Sequence, residues 1–233
     1  MSFADSGLSN LNLRDLLNGL LAQDCVLCAA AGSADLICSA CKEDLPWLEA
    51  GCPRCANRGP AGDACGACIA QPPQYNATTA LWAYDFPLDR LVLALKYNER
   101  LAFAAYFGEA LAQKLRGRAV DLVIPMPLHP RRLRSRGFNQ SVEITRACAK
   151  ALRLTWRTDV LERIRDTAPQ AELPLDERAR NVRGAFLYVG DLSGKSVAVV
   201  DDVMTTGATL NEAAAALKRA GAIHVENWVV ARA

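Results

Sequence analysis

An apolar run ends on two adjacent acids in Val197-Ala-Val-Val-Asp201-Asp202-Val-Met-Thr205-Thr206-Gly207-Ala208-Thr209, and this is the most informative segment of the chain. A hydroxyl-rich loop follows the acids, and a helical pattern starts directly after it. Backbone N–H groups at a helix start, joined by threonine hydroxyls, can cradle a phosphate. Gly207 lets the backbone approach closely. Asp201 and Asp202 lie at a spacing where the hydroxyls of a sugar could donate to them. A strand followed by a capped helix, with Thr206 or Thr209 as cap, explains the hydroxyls but not two uncompensated acids.

A second segment, Ile124-Pro-Met-Pro-Leu128-His129-Pro130-Arg131-Arg132-Leu-Arg134-Ser-Arg136-Gly137-Phe-Asn-Gln140, places four arginines in six positions beside three prolines. It is expected as a positive loop. Guanidinium groups match the paired oxygens of a pyrophosphate. A solvated charge run is the other reading.

The third constellation is cysteine. Eight of the nine cysteines lie at Cys25, Cys28, Cys38, Cys41, Cys52, Cys55, Cys65 and Cys68, which is one spacing used twice, 27 residues apart. A C-x2-C knuckle turns two thiolates toward one tetrahedral ion, and two knuckles close a site. Two structural zinc ions are expected. Consecutive quartets are the simplest pairing, and an interleaved one stays open. Disulfides would need an oxidising compartment; an iron–sulfur cluster would use the same four ligands. Full protein ligation leaves no open position for catalysis. A stretch this short and poor in large apolar groups needs metal to hold a fold. Pro53, Arg54, Asn57 and Arg58 read as knuckle and turn residues, with nucleic-acid contact as the sharper alternative. Cys148 lies in a helical pattern and reads as a small buried hydrophobe.

Elements to position these groups follow from periodicity. Strands are expected at Asn76–Tyr84, Asp121–Met126, Asp159–Ile164, Ala185–Val189, Ser196–Asp202 and Val225–Ala231. Helices are expected at Leu88–Lys96, Phe103–Leu115, Phe138–Leu152 and Ala208–Ala220, the last stopped by Gly221. Strands alternating with helices imply an α/β fold with a covered parallel sheet, and ligands bind such sheets at the carboxyl ends of the strands. Leu13, Leu16, Leu17, Leu20 and Leu21 recur at helical spacing, for packing on the protein itself or for docking a partner. The domains read as an N-terminal helix at 1–22, a double zinc ribbon at 23–72 and the α/β domain at 73–233.

The 233 residues are 51% hydrophobic and 22% charged, with a net charge of +2, which excludes a disordered chain and a strongly basic nucleic-acid coat. Any anion site is therefore local. The N-terminal stretch lacks a basic leader and Arg14 interrupts its apolar residues, so a cytoplasmic location with no membrane span is expected.

The Asp201–Thr209 segment closely resembles the signature with which type I phosphoribosyltransferases bind phosphoribosyl pyrophosphate (PRPP). The resemblance implies Asp201 and Asp202 on the ribose 2′- and 3′-hydroxyls. It puts Thr205, Thr206, Gly207, Ala208 and Thr209 on the 5-phosphate. It implies a pyrophosphate loop after the 121–126 strand, with unusual peptide geometry at Pro127–Leu128 or Leu128–His129. The pyrophosphate residues would be Lys96, Leu128, His129, Arg131, Arg132 and Arg136. With the cysteine repeat, Lys96-Tyr97, PMPLHPRRLRSRGFNQS, the run Arg163…Gln170…Arg178…Asn181…Gly184-Ala-Phe186 and VVDDVMTTGAT, the whole chain resembles the ComF (ComFC/GntX-like) family, a double zinc ribbon before a phosphoribosyltransferase domain.

Residues 165–178 resemble the flap that covers PRPP in that fold, or form an ordinary surface loop. The resemblance implies a ComF-type protein that binds Mg–PRPP and is linked to DNA uptake and competence. Single-stranded DNA and competence-machinery proteins would be its partners. A non-catalytic PRPP or phosphate sensor, or a single-stranded nucleic-acid adaptor, is the alternative. Purine-salvage relatives commonly carry an acid at the position of Thr205, which weakens that substrate assignment; no catalytic acid or base is assigned. His129 is a candidate proton donor or phosphate contact, and His224 reads as incidental.

Overall fold

The computed structural model describes residues 23–31, 33, 35–49, 51–59, 62–97, 101–167 and 174–233. The expected helix at 1–22 and the 168–173 part of the flap lie outside them. The chain forms two compact units, 1–45 and 46–233.

In the first unit the Cys25–Cys28 knuckle is followed by helix α1 (Ser39–Glu43), which Cys38 precedes as N-cap. The second unit opens with the same device: the Cys52–Cys55 knuckle, then helix α2 (Gly66–Ala70) after Cys65. The sequence repeat is a structural repeat down to its hydrogen bonds. Ala29 N–H donates to Cys25 O, and Ala56 N–H to Cys52 O, both at 2.8 Å. Ala29 and Ala56 both take left-handed φ, 58° and 54°.

The rest of the second unit is the α/β domain. In chain order it runs β1 (Ala77–Ala83), α3 (Leu88–Tyr97), α4 (Leu101–Lys114), β2 (Leu122–Pro125), α5 (Pro130–Arg136), α6 (Gln140–Leu152), β3 (Leu161–Arg163), α7 (Leu175–Val182), β4 (Phe186–Tyr188), β5 (Ser196–Met204), α8 (Ala208–Arg219) and β6 (His224–Arg232). Strands β1, β6, β5 and β2 form a parallel sheet in that order. Alternation along the strands sends Val197, Val199, Val225 and Val229 into one cluster with Leu210, Ala213, Ala214 and Leu217 of α8. Helices α4 and α6 pack closely together: a side chain at Gly108 would place its Cβ 2.6 Å from Ala147 Cβ. The edge strand β1 is covered by residues 46–48, with Leu48 N–H donating to Leu81 O at 2.9 Å.

Three expectations change. The 159–164 and 185–189 strands do not join the main sheet; they shrink to three residues each and pair with each other as a separate two-stranded antiparallel sheet, β3–β4, with α7 between them in the chain. The arginine run is helix rather than loop. Pro130 at its first turn and left-handed Gly137 at its end supply start and stop signals. The cis peptide among the described residues is Phe86–Pro87, and neither Pro127–Leu128 nor Leu128–His129 is cis. Cys148 is buried, with burial pushing its thiol up to about 12, as a core position requires. His224 Nε2 lies 3.1 Å from Glu226.

Candidate functional site

A cavity of about 270 Å³ opens where β2 and β5 end, the place an open parallel sheet offers a ligand. It is lined by Met126–Leu128 after β2, by Asp201 and Asp202 of β5, and by Thr205–Leu210. All seven residues expected on the ribose and its phosphate therefore share one cavity.

The two acids differ. Asp202 is buried at 4% exposure. Its Oδ2 accepts from Lys96 Nζ and Gln140 Nε2, both at 3.0 Å, and its Oδ1 accepts from Val203 N–H at 2.6 Å. Asp201 accepts through Oδ1 from Ser141 Oγ and its neighbour's N–H, both at 2.9 Å. Burial first, and the Asp202 charge second, push the Asp201 carboxyl up to about 7. Burial opposes the charge on Lys96, yet Asp202 and then Asp201 hold its ammonium above the usual lysine range. Gln140 and Ser141, at the start of α6, close the Pro125–Ser141 motif but were given no role from the sequence. Their signal was position: they follow Asn139, which caps α6 by accepting from Ser141 N–H and donates to Met126 O, both at 3.0 Å. That pair of bonds pins α6 against the loop after β2.

The loop from Thr205 to Thr209 turns on Gly207, which is left-handed at φ 79° and stands as the N-cap of α8. Neither Thr206 nor Thr209 takes that place, although Thr206 Oγ1 accepts from Ala208 N–H at 3.3 Å. The helix start thus brings its positive end to the cavity without a side-chain acceptor on its cap residue. Gly207 is hemmed in: an added Cβ would lie 2.6 Å from Met204 Cε and 3.1 Å from Tyr75 Oη. Gly207→Ala should destabilise the α/β unit by about 1–3 kcal/mol through positive φ and crowding. Thermal unfolding measures this; an unchanged transition would show that the loop relaxes freely.

Helical geometry sorts the arginines of α5. Arg132 and Arg136, four apart, line the cavity; His129 and Arg131 do not. Those two meet Asp166 instead, at 3.3 and 3.1 Å. Arg136 donates to Gln140 Oε1 at 2.7 Å, which continues through Gln140 to Asp202. Arg132 donates to Thr167 O at 2.7 Å. Lys96 and Leu128 also line the cavity, as expected.

The structure adds Arg163, which sequence reasoning used only as part of a family pattern. It ends β3, is 7% exposed, lines the cavity and lies 5.6 Å from the centre of the Phe186 ring. One of its terminal nitrogens donates to Thr167 Oγ1, while its buried Nε has no partner among the described residues. Burial, then Arg132, press its pKa downward. Four cations, Lys96, Arg132, Arg136 and Arg163, face two carboxylates here. Such a cavity suits an anion of several charges.

Cysteine pairing is consecutive: Cys25, Cys28, Cys38 and Cys41 converge, as do Cys52, Cys55, Cys65 and Cys68, with sulfurs inside each quartet within 4.8 Å of one another. A regular tetrahedron of ~2.3 Å Zn–S bonds has edges of about 3.8 Å. The Cys28–Cys38 and Cys55–Cys65 sulfurs lie 3.7 and 3.6 Å apart. Burial works against the Cys25 thiolate, but the N–H groups of Cys38, Cys28 and Leu27 hold that thiol down at about 6. In the second quartet the N–H groups of Cys65, Cys55 and Arg54 outweigh burial and hold Cys52 at about 6. One thiol is held down in each quartet, while Cys41 is pushed up by the sulfurs crowded around it and by burial, and Cys55 and Cys68 by burial and by their neighbouring sulfurs. Four convergent sulfurs to a site, with no open position, fit structural zinc.

Residues 16–69 match the double zinc ribbon domain, and residues 140–233 match the phosphoribosyl transferase domain. The chain is 35% identical over 204 residues to the DNA utilization protein YhgH of Salmonella typhi, spanning 84% of this chain and 90% of that one. It belongs to the ComF family. Competence protein F of Haemophilus influenzae is 28% identical over 71% of this chain and 77% of its own. Competence protein ComFC of Streptococcus pneumoniae is 26% identical over 66% of this chain and 67% of its own. The ComF-family organisation thus joins a double zinc ribbon to a phosphoribosyltransferase fold. No helix among the described residues is long and apolar enough to cross a membrane.

Proposed function

We propose that this ComF-family protein binds Mg–PRPP in the β2–β5 cavity and serves DNA uptake in the cytoplasm. One observation carries the reading: a carboxylate pair, a glycine-turned loop opening a helix, and four cations line the same cavity. Asp201, whose Oδ1 is already engaged, offers Oδ2 to the ribose hydroxyls, with Asp202 behind it. Thr205–Thr209 hold the 5-phosphate. Lys96, Leu128, Arg132, Arg136 and Arg163 take the pyrophosphate; His129 and Arg131, held by Asp166, stand at its margin. In group transfer, the bond from ribose C1 to the pyrophosphate oxygen breaks as a nucleophile bonds to C1. The leaving group carries the electron pair into this cationic wall. Magnesium would arrive with PRPP and would neutralise part of the charge on the leaving group.

The alternative, a protein that binds PRPP or phosphate without turnover, also has an observation behind it. Beyond the aspartate pair, no acid and no histidine lines the cavity among the described residues, and position 205 is Thr. The groups there that could move a proton are Asp201, Asp202, Lys96 and Tyr84, and the binding reading commits all but Tyr84 to the sugar and the pyrophosphate. The names of the relatives support the link to DNA uptake. Single-stranded DNA and proteins of the uptake machinery are the proposed partners, and exposed Arg131 suits a salt-sensitive phosphate contact.

Calorimetry of the wild-type protein with Mg–PRPP tests the first part. Saturable binding is expected, and Arg163→Met should weaken it about tenfold or more while leaving the fold intact. No heat and no competition by pyrophosphate would remove the reading. A pyrophosphate-release screen over nucleobases, run beside single-stranded DNA binding at two salt concentrations, then separates a transferase from an adaptor.

A further inference from the structure

The second cysteine quartet is built into the α/β domain at the phosphate loop. Arg232, the last residue of β6, reaches across this junction. Its Nε donates to the carbonyl of Cys55 at 3.0 Å, and one terminal nitrogen is shared among the main-chain oxygens of Met204, at 3.1 Å, Thr205 and its own neighbour Ala233. Cys55 is a zinc-quartet residue; Thr205 is the first residue of the loop. Two further links run in parallel. Tyr75 is buried in the same apolar cluster as Cys55, Cys68, Met204 and Leu210, with its hydroxyl against Gly207. Gln74 N–H donates to Asn211 Oδ1 in the first turns of α8 at 2.7 Å.

From this geometry we propose that Arg232 is a positioning residue: it transmits the metal-held shape of the Cys52/Cys55/Cys65/Cys68 site to the Thr205–Thr209 loop, so that occupancy of this site sets the affinity for PRPP. The affinity clause rests on the function proposed above; the mechanical clause does not. A planar guanidinium fixes several acceptors at once, which an ammonium cannot do in the same geometry. Its partners here are main-chain carbonyls, so its place is set by two backbones. One is the knuckle turn, where Ala56 N–H closes onto Cys52 O at 2.8 Å and Cys65 N–H onto Cys52 Sγ at 3.2 Å. With zinc bound, the four sulfurs fix this turn and the direction of the Cys55 carbonyl. Without zinc the turn loses that constraint, and Arg232 loses one of its two supports. A loop that must be ordered before it can hold a phosphate then binds more weakly, its affinity scaled by the fraction of time it is ordered.

The test uses the full chain loaded with zinc. In Arg232→Met, zinc content should stay at the wild-type level. Amide exchange across 203–210, measured without ligand, should quicken at least tenfold, and Mg–PRPP affinity should fall at least tenfold. Free guanidinium ion at non-denaturing concentration should restore part of both. Cys65→Ser, which empties this site and leaves Arg232 in place, should quicken the same amides. The double variant should add little to either single one, because the two changes break one chain of contacts. Unchanged exchange in Arg232→Met, or fully additive effects in the double variant, would overturn the proposal. A wild-type protein that fails to bind PRPP would instead sink the function proposed above, while the exchange measurements still decide whether Arg232 holds the loop.

Discussion

Asp201→Asn should abolish most Mg–PRPP binding, by at least about a hundredfold, and at the same time raise the thermal stability of the unliganded α/β unit at pH 8. Both effects come from one cause. The carboxyl is buried beside Asp202, and its pKa is lifted from an ordinary 3.8 to about 7. Between those values the folded protein holds a proton that the unfolded chain has released, so stability falls as pH rises through that window. At pH 8 the full penalty of an ionised, crowded carboxylate is present. Asparagine removes the charge and can still accept from Ser141 Oγ and from Asp202 N–H through the same oxygen. A gain on the order of 1 kcal/mol, or a few degrees, is expected. It should narrow as the pH falls from 7 toward 4 and close below that, where the wild-type group is protonated in both states. Differential scanning at pH 5 and 8, with calorimetry at pH 8, reads both arms. Tight PRPP binding by the variant would mean that Asp201 does not grip the sugar.

Asp202→Asn is the less informative change, although the sequence presents the two acids as equals. Its carboxylate neutralises Lys96, whose side chain is only 20% exposed. Asparagine there strands a largely buried ammonium, and loss of such a partner is strongly destabilising. Weak binding in that variant, or in the double variant, would report damage as much as function.

That asymmetry shows where sequence reasoning stops. The strands and main helices announce themselves through periodicity, and the β5–Gly207–α8 turn through residue types that few other structures need. Cys25–Cys41 and Cys52–Cys68 are legible because ligand spacing is local. Contacts made by distant segments are not. Nothing in the sequence places Lys96 on Asp202 rather than on an incoming ligand, nor sends Arg163 from a three-residue strand into the cavity. The arginine run illustrates a subtler loss. Its charge was visible, but its charge density suggested a loop. The start and stop signals at Pro130 and Gly137 were present and decide which arginines face inward. A helix turns Arg132 and Arg136 to the cavity and leaves Arg131, with His129, to Asp166. The two cysteine quartets, identical in spacing, also differ in a way spacing cannot reveal: one lies in a unit of its own, and the other in the unit of the sheet.

From that difference comes the second large effect, the response to losing zinc. In the unit spanning 1–45 the buried apolar residues described are Cys25, Ile37 and Leu45, one of them a ligand. For the described residues 23–45, burial on that scale does not offset the chain entropy of ordering them. Zinc binding, worth on the order of 10 kcal/mol in such sites, must supply its folding free energy. Cys25→Ser or Cys38→Ser should therefore lower the zinc content from two ions to one per chain and open residues 23–45 to protease. The sheet should keep its own transition, because Trp82, Trp228, Phe103 and Phe107 lie fully buried elsewhere. Cys52→Ser should also cost one zinc, but its damage should spread. Cys52, Cys55, Ala56 and Cys68 share an apolar cluster with Tyr75, Met204 and the α8 face, so melting of the knuckle uncovers part of the sheet's own core. The transition of the α/β unit should fall by several degrees in that variant and hardly move in Cys25→Ser. Metal analysis, limited proteolysis and scanning calorimetry on both variants measure the contrast. Equal loss of sheet stability in the two would mean that the quartets are energetically alike and that the packing of the second on the sheet contributes nothing to its stability.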